Sequence, residues 1–130
     1  MKRFAFFLLM ACGCTRDERL ASMESWRQGA PKDLAAKVLA ADPRLGDESY
    51  QTHCMACHGA WGAGDGAAGA ALRPRPADLR REAASSSLED IFLDVAQGKT
   101  ATAMPAWGGV LQENEMIALV AKVKRFGRKP

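Results

Sequence analysis

Aromatic side chains are scarce in this chain of 130 residues, and three of the few, Phe4, Phe6 and Phe7, fall within the first eleven positions. From residue 45 onward only Tyr50, Trp61, Phe92, Trp107 and Phe126 remain to build a core. So thin a supply calls for a disulfide, a metal or another covalent staple, because small folds bury a small fraction of their surface. An excess of one charge is missing too. The formal net charge is +3, and it falls to +1 once Lys2 and Arg3 are set aside with the first eleven residues, so no nucleic-acid partner is implied. No apolar run reaches the roughly 20 residues that a membrane-spanning helix needs. Strand-like alternation and internal repeats are absent as well. The length fits one domain, and 48% apolar with 25% charged residues is a soluble globular balance.

What is present begins with an address. Lys2-Arg3 followed by the apolar stretch Phe4 to Ala11 has the form of an export signal. Leu9-Met10-Ala11-Cys12 resembles a bacterial lipobox, which implies a signal peptide over residues 1–11, cleavage before Cys12 and lipidation of that cysteine. Cys14, after Gly13, is a competing site, and an uncleaved anchor or ordinary signal cleavage would equally export the chain. Two or more acyl chains would hold it at the periplasmic side of a bacterial membrane, in a compartment that is oxidising.

Residues 12–44 read as a tether or a loosely docked helical extension. Within them, Pro31 to Ala41 suggests a helix with Leu34, Val38 and Leu39 on one side and Pro43 closing it. The compact domain is expected over residues 45–127. Its first helix is placed from about Asp47 into the cysteine motif. A second starts at Ser87, where Asp90 three residues on approximates a capping box and Leu88, Ile91, Phe92 and Val95 repeat at helical spacing before Gly98. A last helix spans about Gln112 to Phe126, with Met116, Leu119, Val120 and Val123 as its apolar stripe. Between them, residues 59–76 and 99–110 are rich in Gly, Ala and Pro and read as loops.

Cys54-Met55-Ala56-Cys57-His58 carries the chemistry. This C-x-x-C-H sequence is the attachment signature for c-type haem. Three residues apart on a helix, the two thiols share a face and can each add to one haem vinyl group, while His58 supplies the proximal imidazole. A disulfide oxidoreductase would need a thioredoxin-like context that is missing. A zinc site would need a second suitably spaced pair of ligands, and a plain disulfide would leave His58 idle. The staple is therefore one covalent haem c.

For the second axial position the side chains to weigh are Met23, Met55, Met104, Met116 and His53. Met55 and His53 flank the attachment loop and cannot fold to the opposite haem face. Met116 lies in an apolar stripe, where methionine is usually packing, and Met23 lies in the extension. Met104, in a loop 46 residues after His58 and stiffened by Pro105, is the best ligand.

The ordered set Cys54 to Gly59, Gly62-Ala63-Gly64-Asp65-Gly66, Leu72-Arg73-Pro74-Arg75-Pro76-Ala77-Asp78-Leu79, Gly98 and Met104-Pro105 resembles a class I monohaem cytochrome c over about residues 45 to 127. That resemblance implies an all-α fold of three to five helices wrapped around one haem. It also implies a close helix crossing at Gly46 and Tyr50, with Leu119, Val123 and Phe126 opposite. A Pro carbonyl, from Pro74 or Pro76, should accept the proximal His proton, and Arg73, Arg75 and Trp107 are candidates for pairing with the haem propionates. Residues 15–44 have no strong counterpart in the family, and Ala67 and Ala68 stand where many relatives carry Pro.

The function expected is one-electron transfer without bond-making chemistry, in exchange with redox proteins docking transiently at the haem edge. A haem-based sensor or weak peroxidase would require Met104 to leave the iron. A fixed haem subunit of a larger redox complex would share the electron chemistry and differ in the permanence of its partner. Cys14 is left as a spare thiol.

Overall fold

Four of the helices begin where the sequence offers the first turn a side-chain partner. In the computed structural model, which describes residues 21 and 24–128, α1 runs Leu34–Ala40 and α2 runs Pro43–His53. Asp42 caps α2 by accepting from the Arg44 amide at 2.9 Å. Pro43 thus opens α2 rather than closing the helix before it: its missing N–H costs nothing in a first turn, where that group has no intrahelical acceptor. The start expected at Asp47 is a full turn too late.

The short α3, Met55–His58, follows directly on Cys54, and a single 3-10 turn forms at Ala67–Gly69. Next comes a helix the sequence reading did not place, α4 at Leu79–Ser85, capped by Asp78. The Ser87 and Asp90 capping box forms as expected and starts α5, Leu88–Gln97, which ends at Gly98. Finally α6, Glu113–Phe126, opens on a reciprocal pairing of Gln112 with Glu115. No strand occurs among the described residues, and none of their helices is long and apolar enough to cross a membrane.

The frame of the molecule is the crossing of α2 over α6. A Cβ placed on Gly46 would lie 2.5 Å from the Ala118 carbonyl oxygen, so the two backbones meet where only hydrogen fits. One turn on, Tyr50 sets its ring edge against Phe126 with centroids 5.1 Å apart. Asp47 joins the helices with ion pairs to Lys122 at 2.9 Å and Arg125 at 2.7 Å. Along α6 the residues Met116 to Val120 are all buried, and Ile91, Phe92 and Val95 of α5 complete this core.

The segment ahead of residue 45 is part of that core. Leu34 is 1% exposed and Trp26 3% exposed, its ring edge-on to Phe92 at 6.4 Å. Full burial of a side chain such as Leu34 is worth about 1.5–3 kcal/mol, more than a passing contact. Lys37 adds a 2.8 Å ion pair to Glu113 at the start of α6. Leu39, expected on the apolar side of α1, instead faces solvent at 86% exposure. The signal segment 1–11, Cys12, Cys14 and Met23 lie outside the described residues.

Candidate functional site

The turn of α3 is wrapped by backbone. Amides of the glycine-rich loop close on its carbonyls, Gly66 donating to Cys57 at 3.1 Å and Gly64 to His58 at 2.9 Å. Tyr50 donates its hydroxyl to the Gly59 carbonyl at 2.6 Å, a buried bond that ties the end of the motif to α2. Burial raises the Tyr50 phenol well above its ordinary value, which keeps this donor protonated.

Beside the turn lies a cavity of about 400 Å³, within the range of cofactor sites. Cys54, Cys57, His58 and Met104 all stand on its wall. Most of the remaining lining is apolar, including Leu72 and Leu79 from the loop and α4, Ile91 and Val95 from α5, and Leu119 and Val123 from α6. Before any attachment, burial and then the neighbouring Cys57 push the Cys54 thiol up to about 11. The two cysteines are not joined to each other.

His58 pairs its Nδ1 with the Ala77 carbonyl at 3.1 Å. This corrects the expectation that Pro74 or Pro76 would supply that oxygen. Both prolines line the cavity, but the oxygen that reaches the imidazole belongs to the next residue along. Gly64 lets that stretch come close, since a Cβ there would lie 2.5 Å from the Pro76 oxygen. With Nδ1 engaged, Nε2 is the ring nitrogen left for a metal, and the bond sets ring orientation and basicity.

Met104 is held by its own loop. Its carbonyl accepts from the Lys99 amide at 3.2 Å and its amide donates to Thr102 Oγ1 at 3.1 Å. Gly98, at φ +69°, packs directly beneath: a Cβ there would sit 2.7 Å from the Met104 oxygen and from the Ala106 nitrogen. The other described methionines are elsewhere, Met55 being 39% exposed and Met116 completely buried in the core.

Of the residues expected near the propionates, Arg75 and Trp107 line the cavity. Arg73 does not: its guanidinium bonds the Ala70 and Leu72 carbonyls. Sequence reasoning set His53 aside as a ligand and gave it no other place at the site, yet it lines the cavity with its ring 5.0 Å from that of Trp107. Its helical spacing from Tyr50, three residues back, was the available signal. Among the described residues no group of three or more His, Cys, Asp or Glu side chains converges as a metal cluster.

Two thiols, an imidazole with a fixed tautomer and a thioether around one apolar cavity make a donor set that fits haem c. The comparisons agree. Residues 41–121 match the family model described as cytochrome c oxidase, cbb3-type, subunit III. The chain belongs to this family. It is also 34% identical over 90 residues to cytochrome c6 of Tetradesmus obliquus, an alignment covering 64% of this chain and 89% of the relative. No solved structure gives a significant match. The protein is a c-type cytochrome with the all-helical class I fold, its cofactor is covalently attached haem c, and its activity is haem-based electron transfer with redox partners.

Proposed function

We propose that this cytochrome is a one-electron carrier in which Cys54 and Cys57 form the thioether bonds and His58 and Met104 are the axial ligands. The observation that carries the reading is the meeting of all four side chains on one cavity wall. When bound, the haem supplies a ferric and ferrous couple. His58, its Nδ1 committed to Ala77, contributes a basic and oriented nitrogen. Met104 contributes a soft thioether, which favours the ferrous state and raises the potential. The mostly apolar lining would limit water at the site, and iron held by both His58 and Met104 would leave no position for a substrate. Arg75 and Trp107 are the lining residues proposed to meet the propionates, and Arg73 is withdrawn from that role.

The proposal includes export, cleavage before Cys12 and a lipid anchor that keeps the carrier at the periplasmic face of a membrane, supported by the Lys2 to Cys12 pattern. A fixed place in a larger redox complex is the second reading, favoured by the oxidase subunit in the family's description. Retention of partner proteins after mild detergent extraction would select it over a shuttle.

The deciding experiment is the absorption spectrum of the oxidised, haem-loaded protein, with attention to the weak charge-transfer band of methionine sulfur on ferric iron. The band is expected in the wild type. Met104→Ala should abolish it and lower the potential while the haem stays covalently attached. A band that survives in Met104→Ala would overturn the ligand assignment. A high-spin wild-type spectrum without the band would move the function to an open-site sensor or peroxidase.

A further inference from the structure

Met104 to Gly108 forms a strap whose far end is gripped by a residue outside the matched family segment. Its two last amides are pinned on α5, Trp107 donating to Val95 and Gly108 to Ala96, each at 3.0 Å. Over Gly108 lies the indole of Trp26: a Cβ on Gly108 would be 2.6 Å from Trp26 Cε3 and 2.8 Å from Cζ3. Trp26 is 3% exposed, its ring also meets Phe92 edge-on, and its carbonyl accepts from Gln97 Nε2 at 2.9 Å. The indole is thus clamped between α5 and the strap. Residue 26 precedes the family match, which begins at residue 41.

We infer that Trp26 is a positioning residue for the Met104 ligand, acting through the strap. This rests on the reading of Met104 as the axial ligand. For an outside ligand to enter, the Met104 sulfur must leave the iron, and the strap must shift by the amount its neighbours allow. Strap backbone is blocked from below by Gly98, whose closest neighbours are Met104, Pro105 and Ala106. Above, it is blocked by the indole at Gly108. Removing the indole opens space beside the strap that the surroundings fill only in part. The displaced-methionine state then becomes less costly, and apparent affinity for an outside ligand rises with the population of that state. The hold on the iron would therefore depend on the extension that precedes the family domain.

The test is a titration of the full, haem-loaded ferric protein with imidazole, following loss of the methionine charge-transfer band. Imidazole takes the place of the Met104 sulfur on ferric iron, and no electron is transferred. In Trp26→Ala the apparent affinity should rise about tenfold, equivalent to about 1.4 kcal/mol. Trp26→Phe, which restores a ring over Gly108, should return most of the wild-type affinity. Leu34→Ala is the control, because it opens the same core from the same extension while the atoms nearest Gly108 belong to Trp26 and Ala96; its imidazole affinity should remain that of the wild type. Should Trp26→Ala fail to fold, Gln97→Ala removes the tie to the Trp26 carbonyl and should raise the affinity in the same direction. Wild-type imidazole affinity in folded Trp26→Ala, or in Gln97→Ala, overturns the proposal, as does an equal rise in Leu34→Ala. Failure of the underlying reading is distinguishable, since then the band would persist in Met104→Ala or be missing from the wild type before any imidazole is added.

Discussion

Replacing Gly46 by alanine sets two effects of opposite sign against each other. At Gly46, the fourth residue of α2, alanine is the better helix former, by up to about 1 kcal/mol. Against this, the new Cβ would stand 2.5 Å from the Ala118 oxygen and 3.1 Å from its carbon, where ordinary contact starts at 3.4 Å. The obstacle is helix backbone, which has no rotamer to turn away, so α2 and α6 must separate by roughly 0.9 Å. Overpacking of this kind costs about 1–3 kcal/mol. An obstacle of helix backbone at 2.5 Å places the cost in the upper part of that range, about 2–3 kcal/mol, so Gly46→Ala should be less stable than the wild type by about 1–2 kcal/mol. Denaturant unfolding of the haem-loaded protein, followed by far-ultraviolet circular dichroism, measures this directly. The midpoint should fall with the slope unchanged, and the native haem spectrum should persist at zero denaturant. Equal or greater stability of Gly46→Ala would refute the close crossing, because only helix propensity would then be acting.

Other perturbations test separate joints. Tyr50→Phe removes the donor to the buried Gly59 carbonyl and should cost about 1–3 kcal/mol by the same unfolding assay. Asp47 is held below the ordinary 3.8 chiefly by its bond to Lys122. A carboxylate depressed in the folded state contributes stability above its unfolded value and loses it as pH falls through the folded one. Because the Asp47 side chain is 47% exposed, solvent screens the pair and Asp47→Asn should cost under about 1 kcal/mol at neutral pH. The gap between variant and wild type should close as the pH falls below 3.8, and unfolding curves across that range check it. Gly98→Ala forces a side chain into left-handed backbone and against the Met104 oxygen. It should weaken the methionine charge-transfer band and lower the potential while covalent haem is retained.

Where the sequence was legible, the determinant was local. The Ser87 and Asp90 box needs four residues, the C-x-x-C-H motif five, and the stripe of α6 is long enough for its period to show. The pairing of Gly46 and Tyr50 with α6 was legible through family resemblance, and the structure adds Ala118 as the atom-level reason. By contrast, α4 has only Leu79 and Ala83 at helical spacing among charged residues, too little for a period, and its Asp78 cap was the overlooked signal. Pro43 was read as a terminator when Asp42 before it was a cap. The acceptor for His58 was sought at Pro74 or Pro76 rather than Ala77 because the choice depends on how the loop folds back, which Gly64 and Pro76 decide across sequence. Trp26 lies in the extension read as a tether or a loosely docked helix. Its burial comes from Phe92 and Gly108, more than sixty positions away, and no window of sequence contains both sides of that contact.

The two halves of the site are referred to one helix by different routes. Cys54 to His58 follow α2 without a break, and α2 is placed by its crossing at Ala118 of α6. Met104 is placed by backbone bonds to both ends of a strap on α5, with Lys99, Val95 and Ala96 as partners. The buried Ile91, Phe92 and Val95 belong to the same core as Met116, Ile117, Leu119 and Val120. A change at the α2 crossing therefore strains the common frame and shows in global stability. A change at Gly98 acts first on the Met104 side, where ligand exchange requires only a local shift. Stability should thus respond to Gly46 before the spectrum does, and the methionine signature to Gly98 before the stability does. The opposite order in either variant would show that α6 is not the shared reference.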